Sequence, residues 1–207
     1  YGTIWKDESR TEKVILDNAS KYSQASRIWQ KDSPFPKYLA SLKNDFTYKG
    51  FTLSVFFTGQ FKFSVMNRWQ NYVTSDGNSI YYNQTKDVLY NSWTETNTKA
   101  DNPKQMLFNT TGSYEPSTRW LRKGDHIRLK DIKFAYSFND LFKKSTGIDN
   151  FTIYAKGTNL WIYVFDKDLT FDPESNSNAA GGAYGKGMYD YTSPIMKSVS
   201  LGISIDF

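Results

Sequence analysis

The sequence predicts an all-β protein built from strands of a large antiparallel transmembrane β-barrel. Three observations carry this. Apolar and polar residues alternate with a period of two over long stretches, which sorts successive side chains onto opposite faces of a pleated strand. The stretches exceed the about 5 to 6 residues of strands in globular proteins and reach the about 9 to 11 that a tilted strand needs to cross hydrocarbon. Their connections alternate between short and long, the asymmetry of outer-membrane barrels.

In chain order, KYLASLKNDFTY (37–48) sets Tyr38, Ala40, Leu42, Phe46 and Tyr48 on one side. FTLSVFFTGQFKFSV (51–65) puts Phe51, Leu53, Val55, Phe57, Phe61, Phe63 and Val65 on one face, with Gly59 in the remaining place and only Phe56 breaking the pattern. Between them lies Lys49-Gly50, with a glycine free to take positive φ, so the two read as a hairpin. HIRLKDIKFAYSF (126–138) begins with Ile127 and Leu129 on odd positions and continues with Ile132, Phe134, Tyr136 and Phe138 on even ones. A phase slip near Lys130 and Asp131 predicts a β-bulge, because one extra residue turns the following side chains over. NFTIYAKGTNLWIY (150–163) alternates Phe151, Ile153 and Ala155 with polar neighbours and then presents Trp161 and Tyr163. SVSLGISIDF (198–207) closes the set with Val199, Leu201, Ile203, Ile205 and Phe207.

The turn around 139–150 is short, whereas 67–124 and 165–194 read as long polar loops. A β-sandwich would alternate in the same way. Strand length, loop asymmetry and the aromatic terminus favour the barrel. Aromatic residues make up 17% of the 207 residues. Tyr38, Tyr48, Trp69, Tyr136, Trp161 and Tyr163 gather near strand ends, where interfacial girdles lie. No run of 18 apolar residues exists, so no helix is expected to span a membrane and strands must make any such contact. Cysteine is absent, which excludes disulfides and thiolate metal sites. The net charge of +5 comes from interleaved rather than clustered charges, which does not support a nucleic-acid footprint. The chain opens on Tyr1 with no apolar leader behind it, and is expected to be a processed product or a piece of something longer.

From about Pro36 to Phe207 the chain resembles the C-terminal end of the SusC/RagA-like TonB-dependent transporters of the Bacteroidota outer membrane. The likeness runs through PKYLASLKNDFTYKGFTLSVFFTGQ, STRWLRKGDHIRLKDIKFAYSF, NFTIYAKGTNLWIY, DPES and SPIMKSVSLGISIDF. Ser117-Thr118-Arg119-Trp120, then Ile127-Arg128-Leu129-Lys130, then Thr158-Asn159-Leu160 follow one another as the family's motifs do; YGTIWKD near the start resembles the strand and loop that precede them. The resemblance implies a barrel of about 22 strands, of which residues 1–207 would be the C-terminal part, lacking the plug. It also implies active import of an oligosaccharide or peptide across the outer membrane, with a SusD-like lipoprotein on the outer face and TonB engaged through the missing N-terminal part. Phe207, with Ile205, Ile203 and Leu201, looks like the terminal strand signal read during barrel insertion. No catalysis and no cofactor are implied.

Candidate sites read from the residues are weaker. Asp166, Asp168, Asp172 and Glu174 in FDKDLTFDPES could be a loop calcium site, though the spacing lacks the EF-hand's turn glycine and terminal glutamate, and a solvated loop is the simpler account. A glycosidase carboxylate pair would need a separation that sequence does not supply. His126 is the only histidine, and no G-x-S-x-G motif accompanies it. GGAYGKG (181–187) lacks the ending of a phosphate loop and reads as a mobile loop. N-x-S/T sequons occur at Asn18, Asn83, Asn109 and Asn150, but have no force in a bacterial protein. Trp69, Tyr81, Tyr82 and Trp93 lie in or beside the longest loop, where aromatic faces stack on sugar rings or on a partner.

Overall fold

The computed structural model describes residues 3–5, 13–15, 22, 33–139, 147–175, 186–190 and 192–206. Its strands in chain order are β1 (Thr3–Trp5), β2 (Lys13–Ile15), β3 (Tyr38–Tyr48), β4 (Phe51–Phe61), β5 (Ser64–Asn67), β6 (Leu121–Lys123), β7 (His126–Asn139), β8 (Asn150–Val164), β9 (Met188–Tyr189) and β10 (Ser198–Asp206). Two short helices, α1 (Gln70–Val73) and α2 (Lys86–Tyr90), and a 3-10 turn at Thr118–Trp120 complete the set. They fall into two compact units, one drawn from 33–64, 123–175 and 193–207, the other from 1–32, 65–122 and 176–192.

The first unit is a five-stranded antiparallel sheet in the order β10-β8-β7-β4-β3, so its strands neighbour one another in chain order. β3 and β4 each run 11 residues, which at about 3.3 Å per residue and a tilt near 45° gives a rise of about 25 Å, the height of an outer-membrane apolar band. Cross-strand register sorts the faces. Leu42↔Phe57, Phe46↔Leu53, Val55↔Ile132, Phe134↔Ala155 and Ile203↔Ile153 lie on one side. Ser41↔Thr58, Ser54↔Lys133, Ser137↔Thr152 and Ser200↔Lys156 lie on the other.

Among the described residues no second sheet covers the apolar side. Phe51 is 46%, Ile203 62% and Leu201 81% exposed. A sandwich would have buried these side chains, so the sandwich alternative is set aside. Aromatic rings gather at both ends of this face. Phe51 lies 4.4 Å from Tyr136, which lies 4.6 Å from Phe138, at the end nearer the Lys49-Gly50 turn. At the far end Phe165 packs against Tyr163 at 5.1 Å and Phe61 at 6.1 Å.

The predicted hairpin forms with φ of 46° at Lys49 and 86° at Gly50, the two left-handed positions of a type I′ turn. The predicted bulge is present too. Phe56 pairs with Asp131 and Phe57 with Leu129, leaving Lys130 as the extra residue. β8 accommodates it with Asn159 at φ 55°.

One expected strand is broken. Residues 51–65 are not a single ribbon, because Lys62 adopts φ 56° and reverses the chain after β4. Phe63 and Val65 therefore leave the apolar face and are buried. The Phe63 ring stands edge-on to His126 at 6.0 Å and fills the space that a side chain on Gly124 would occupy.

In the second unit the stretches read as long polar loops carry short elements of their own. β6, β5 and β9 form a three-stranded sheet, β1 pairs with β2, and Val88 and Trp120 are buried. The Trp120 indole N–H donates to the Tyr114 and Glu115 carbonyls at 3.3 and 3.2 Å.

Candidate functional site

The polar side of the sheet is a tract of paired charges. At its middle Asp131 accepts from Thr158 at 2.8 Å and pairs with Lys156 at 3.0 Å, while the Lys133 ammonium sits 4.4 Å from the centroid of the Tyr154 ring. Lys156 and Asp131 pair diagonally across neighbouring strands, whereas Lys133, directly opposite Lys156, rests on the Tyr154 ring.

At the far end of β7 lies a denser cluster. Strand phase points His126 and Arg128 to the polar side, and segment 166–175 folds back against them. Arg128 is 2% exposed and His126 fully buried. Arg128 donates to Asp172 at 2.5 Å, and its Nε lies 2.8 Å from Glu174 Oε2. Gln60 donates to the other oxygen of Glu174 at 3.1 Å, His126 Nε2 lies 3.4 Å from that same oxygen, and Lys130 is 3.8 Å from Oε2. The Arg128 Nε contact is a charge contact and the His126 Nε2 contact a close polar approach, both without hydrogen-bond alignment. His126 Nδ1 lies 2.8 Å from the Gly124 carbonyl. The His126 ring lowers the Glu174 carboxyl from its ordinary pKa; burial works the other way, and the Arg128 and Lys130 charges add to the lowering. Desolvated charges of this kind persist only when paired. The cluster is therefore a clamp that holds 166–175 on the sheet, and it offers no nucleophile.

In the second unit the buried Asp76 carboxylate receives both terminal nitrogens of Arg119, at 2.6 and 2.9 Å. Arg119 also donates to Asn102 at 2.7 Å, and Asn102 donates to Asp87 at 2.6 Å. Ser113 donates to Asp76 at 2.7 Å. Ser117 caps the 3-10 turn that presents Arg119, and the guanidinium lies 4.3 Å from the centroid of the Trp120 ring. Thus Ser117-Thr118-Arg119-Trp120 and Ile127-Arg128-Leu129-Lys130 each supply the cationic half of a buried anchor.

The sequence-derived candidates are dispersed. Asp172 and Glu174 are engaged by Arg128, while Asp166 accepts from the backbone N–H groups of Lys123 and Asp168 at 3.1 and 3.0 Å. Among the described residues no group of three or more His, Asp or Glu side chains is placed to hold a metal ion. Trp69, expected in a girdle, packs instead in the second unit against Tyr72 and Tyr82, at 5.8 and 6.3 Å. Tyr81 is exposed. Trp93 borders an open groove of about 790 Å³ with Gln84, Lys86, Leu89 and Gln105. Leu201, Ile203 and Ile205 stand on the exposed apolar side of β10; Phe207 lies outside the described residues. Arg128 and Arg119 were legible as motif positions, but their acidic partners were not.

No protein-family model matches the chain. It is 29% identical over 178 residues to TonB-dependent receptor P26 of Formosa agariphila, covering 84% of this chain and 17% of that protein. It is 29% identical over 196 residues to TonB-dependent receptor P3 of the same organism, covering 93% and 18%. Among solved structures, the RagAB peptide transporter superposes with a TM-score of 0.68 at 25% identity, over 85% of this chain and 18% of that one. The RagAB peptide importer in its open-open state gives 0.65 at 23% identity and supports the fold. The chain thus spans less than a fifth of the length of these proteins, none of which is an enzyme. Sequence over most of its length and fold agree in likening this chain to part of the TonB-dependent receptors and of the RagAB transporter, with strands like those of a large antiparallel barrel.

Proposed function

We propose that the chain forms part of the wall of an outer-membrane transporter that imports a nutrient ligand, an oligosaccharide or a peptide, with energy delivered through TonB. The observation that carries this is the five-strand meander whose apolar side is uncovered over about 25 Å and ringed at both ends by aromatic residues. Within the described residues β3 and β10 each have one unpaired edge. In lipid every backbone N–H and C=O needs a partner, so strands from the rest of a longer protein close the ring. Residues 1–207 are then the C-terminal part of a barrel of about 22 strands, with Leu201, Ile203, Ile205 and Phe207 as the strand read at insertion. The apolar side meets acyl chains, the polar side lines the lumen, and a SusD-like lipoprotein covers the outer mouth.

The test uses the full-length gene in a strain deleted for it. Uptake of labelled peptide and oligosaccharide pools should be restored by the gene and abolished when tonB is also removed. Uptake that persists without tonB would make the protein a passive pore. A full-length product found in the soluble fraction would overturn the barrel reading itself.

A further inference from the structure

We propose that Lys37, Tyr38 and Lys62 form a binding site for the phosphate of an acylated glycolipid in the outer leaflet, a reading that rests on the barrel assignment. Tyr38 pairs with Phe61 and shares the side of the sheet that carries Leu42 and Phe46. Its half-exposed ring is therefore on the lipid side. It stands at the opposite end of β3 from the Lys49-Gly50 turn, and outer-membrane barrels place their tight turns in the periplasm. Tyr38 thus sits at headgroup depth in the outer leaflet.

Two ammonium groups converge on this ring, Lys37 Nζ at 5.7 Å and Lys62 Nζ at 5.5 Å from its centroid. The backbone holds both in place. The Lys37 N–H donates to the Phe61 carbonyl at 3.0 Å, and Lys62 takes the φ of 56° that ends β4, a conformation seldom adopted by lysine. Among the described residues neither ammonium has a carboxylate partner. Two lysines on the polar side are paired instead, Lys43 with Asp45 at 3.1 Å and Lys156 with Asp131 at 3.0 Å. Two like charges drawn to one ring repel each other, and an anion with several acceptor oxygens relieves that repulsion while accepting from both. Below the ring, Ala40, Leu42 and Phe57 continue the apolar surface along which acyl chains lie. Charge, depth and apolar continuity together select an amphiphile with a phosphate head over a free anion.

The experiment is native mass spectrometry of the full-length protein, titrated with bisphosphorylated lipid A, its dephosphorylated form and inorganic phosphate. Wild type, K37Q/K62Q and K43Q are compared after confirming that each fractionates with the outer membrane. At about fivefold per cation near a headgroup, the double variant should bind lipid A roughly 30-fold more weakly. K43Q should match wild type, and dephosphorylated lipid should bind wild type as weakly as lipid A binds the double variant. Equal retention by wild type and K37Q/K62Q, or equal binding of the dephosphorylated lipid, overturns the inference. Inorganic phosphate that displaces lipid A at equal concentration overturns the glycolipid assignment in favour of a free-anion site. Failure of all three proteins to reach the outer membrane counts against the barrel reading instead.

Discussion

Arg128 and Asp172, 44 residues apart in the chain, meet in a 2.5 Å charge-assisted hydrogen bond on the polar side of the sheet. The contact joins a strand to the segment that follows the next strand. Glu174, Gln60 and His126 close around it. Two of the carboxylates weighed as weak calcium candidates are thereby the anionic half of an internal clamp.

Removing the cation should cost more than removing an anion. In R128M the largely shielded Asp172 and Glu174 carboxylates lose their guanidinium; breaking a fully buried pair costs about 3–5 kcal/mol, and this part-exposed one should cost somewhat less. D172N keeps a hydrogen-bonding partner for Arg128 and should lose less. The midpoint temperature of the heat-dependent mobility shift of the full-length barrel in detergent measures both, and equal loss would contradict the clamp.

Acid should loosen segment 166–175. The Glu174 carboxyl is depressed in the folded protein, so its contribution to stability is present above the unfolded value near 4.3 and is lost as pH falls through the lower folded value. Amide protection in 166–175, referenced to the intrinsic exchange rate at each pH, should be high at pH 7 and fall below about pH 4. In E174Q protection should already be lower at pH 7 and depend less on acid.

The Asp76–Arg119 pair makes a separate prediction for the second unit. Asp76 is fully buried at φ 54°, and Gly77 follows at φ 86° with no room for a Cβ against the Met106 carbonyl. R119M should strand the Asp76 carboxylate, and G77A should force the turn open. Limited proteolysis with mapped cut sites should show new cleavage within 75–113 in both variants, and less in R119K, which keeps the charge but not the two-pronged contact.

The two faces of β10 should respond oppositely to charge. Leu201 is 81% exposed, so a soluble protein would accept arginine there. On the lipid side near the bilayer midplane, arginine costs about 2–4 kcal/mol. L201R should reduce the folded, membrane-assembled fraction, while S200R, its neighbour on the polar side, should assemble normally. Comparable assembly of the two would remove the lipid assignment of this face.

How far the sequence reached is visible strand by strand. Period-two alternation placed β3, β7, β8 and β10 to within a residue or two at each described end, and a single slip of phase located the bulge at Lys130. The alternation also carried a false step at Lys62. Hydrophobicity continues through Phe63 and Val65, and nothing in residue type marks a lysine that will adopt positive φ. Trp69 misled for a related reason, since an aromatic near a strand end packs as well in a folded loop as in an interfacial girdle.

By itself the sequence determined which side of each strand is apolar, how long the strands are and where the tight hairpin falls, because these depend on neighbours one to three residues away. Tertiary structure alone decided which carboxylate meets which arginine. Asp76 reaches Arg119 across 43 positions and Arg128 reaches Asp172 across 44, and such pairings arise only when sheet register and loop path bring distant backbone together. The charge of a residue is local, whereas the partner that makes its burial tolerable is set by the whole fold.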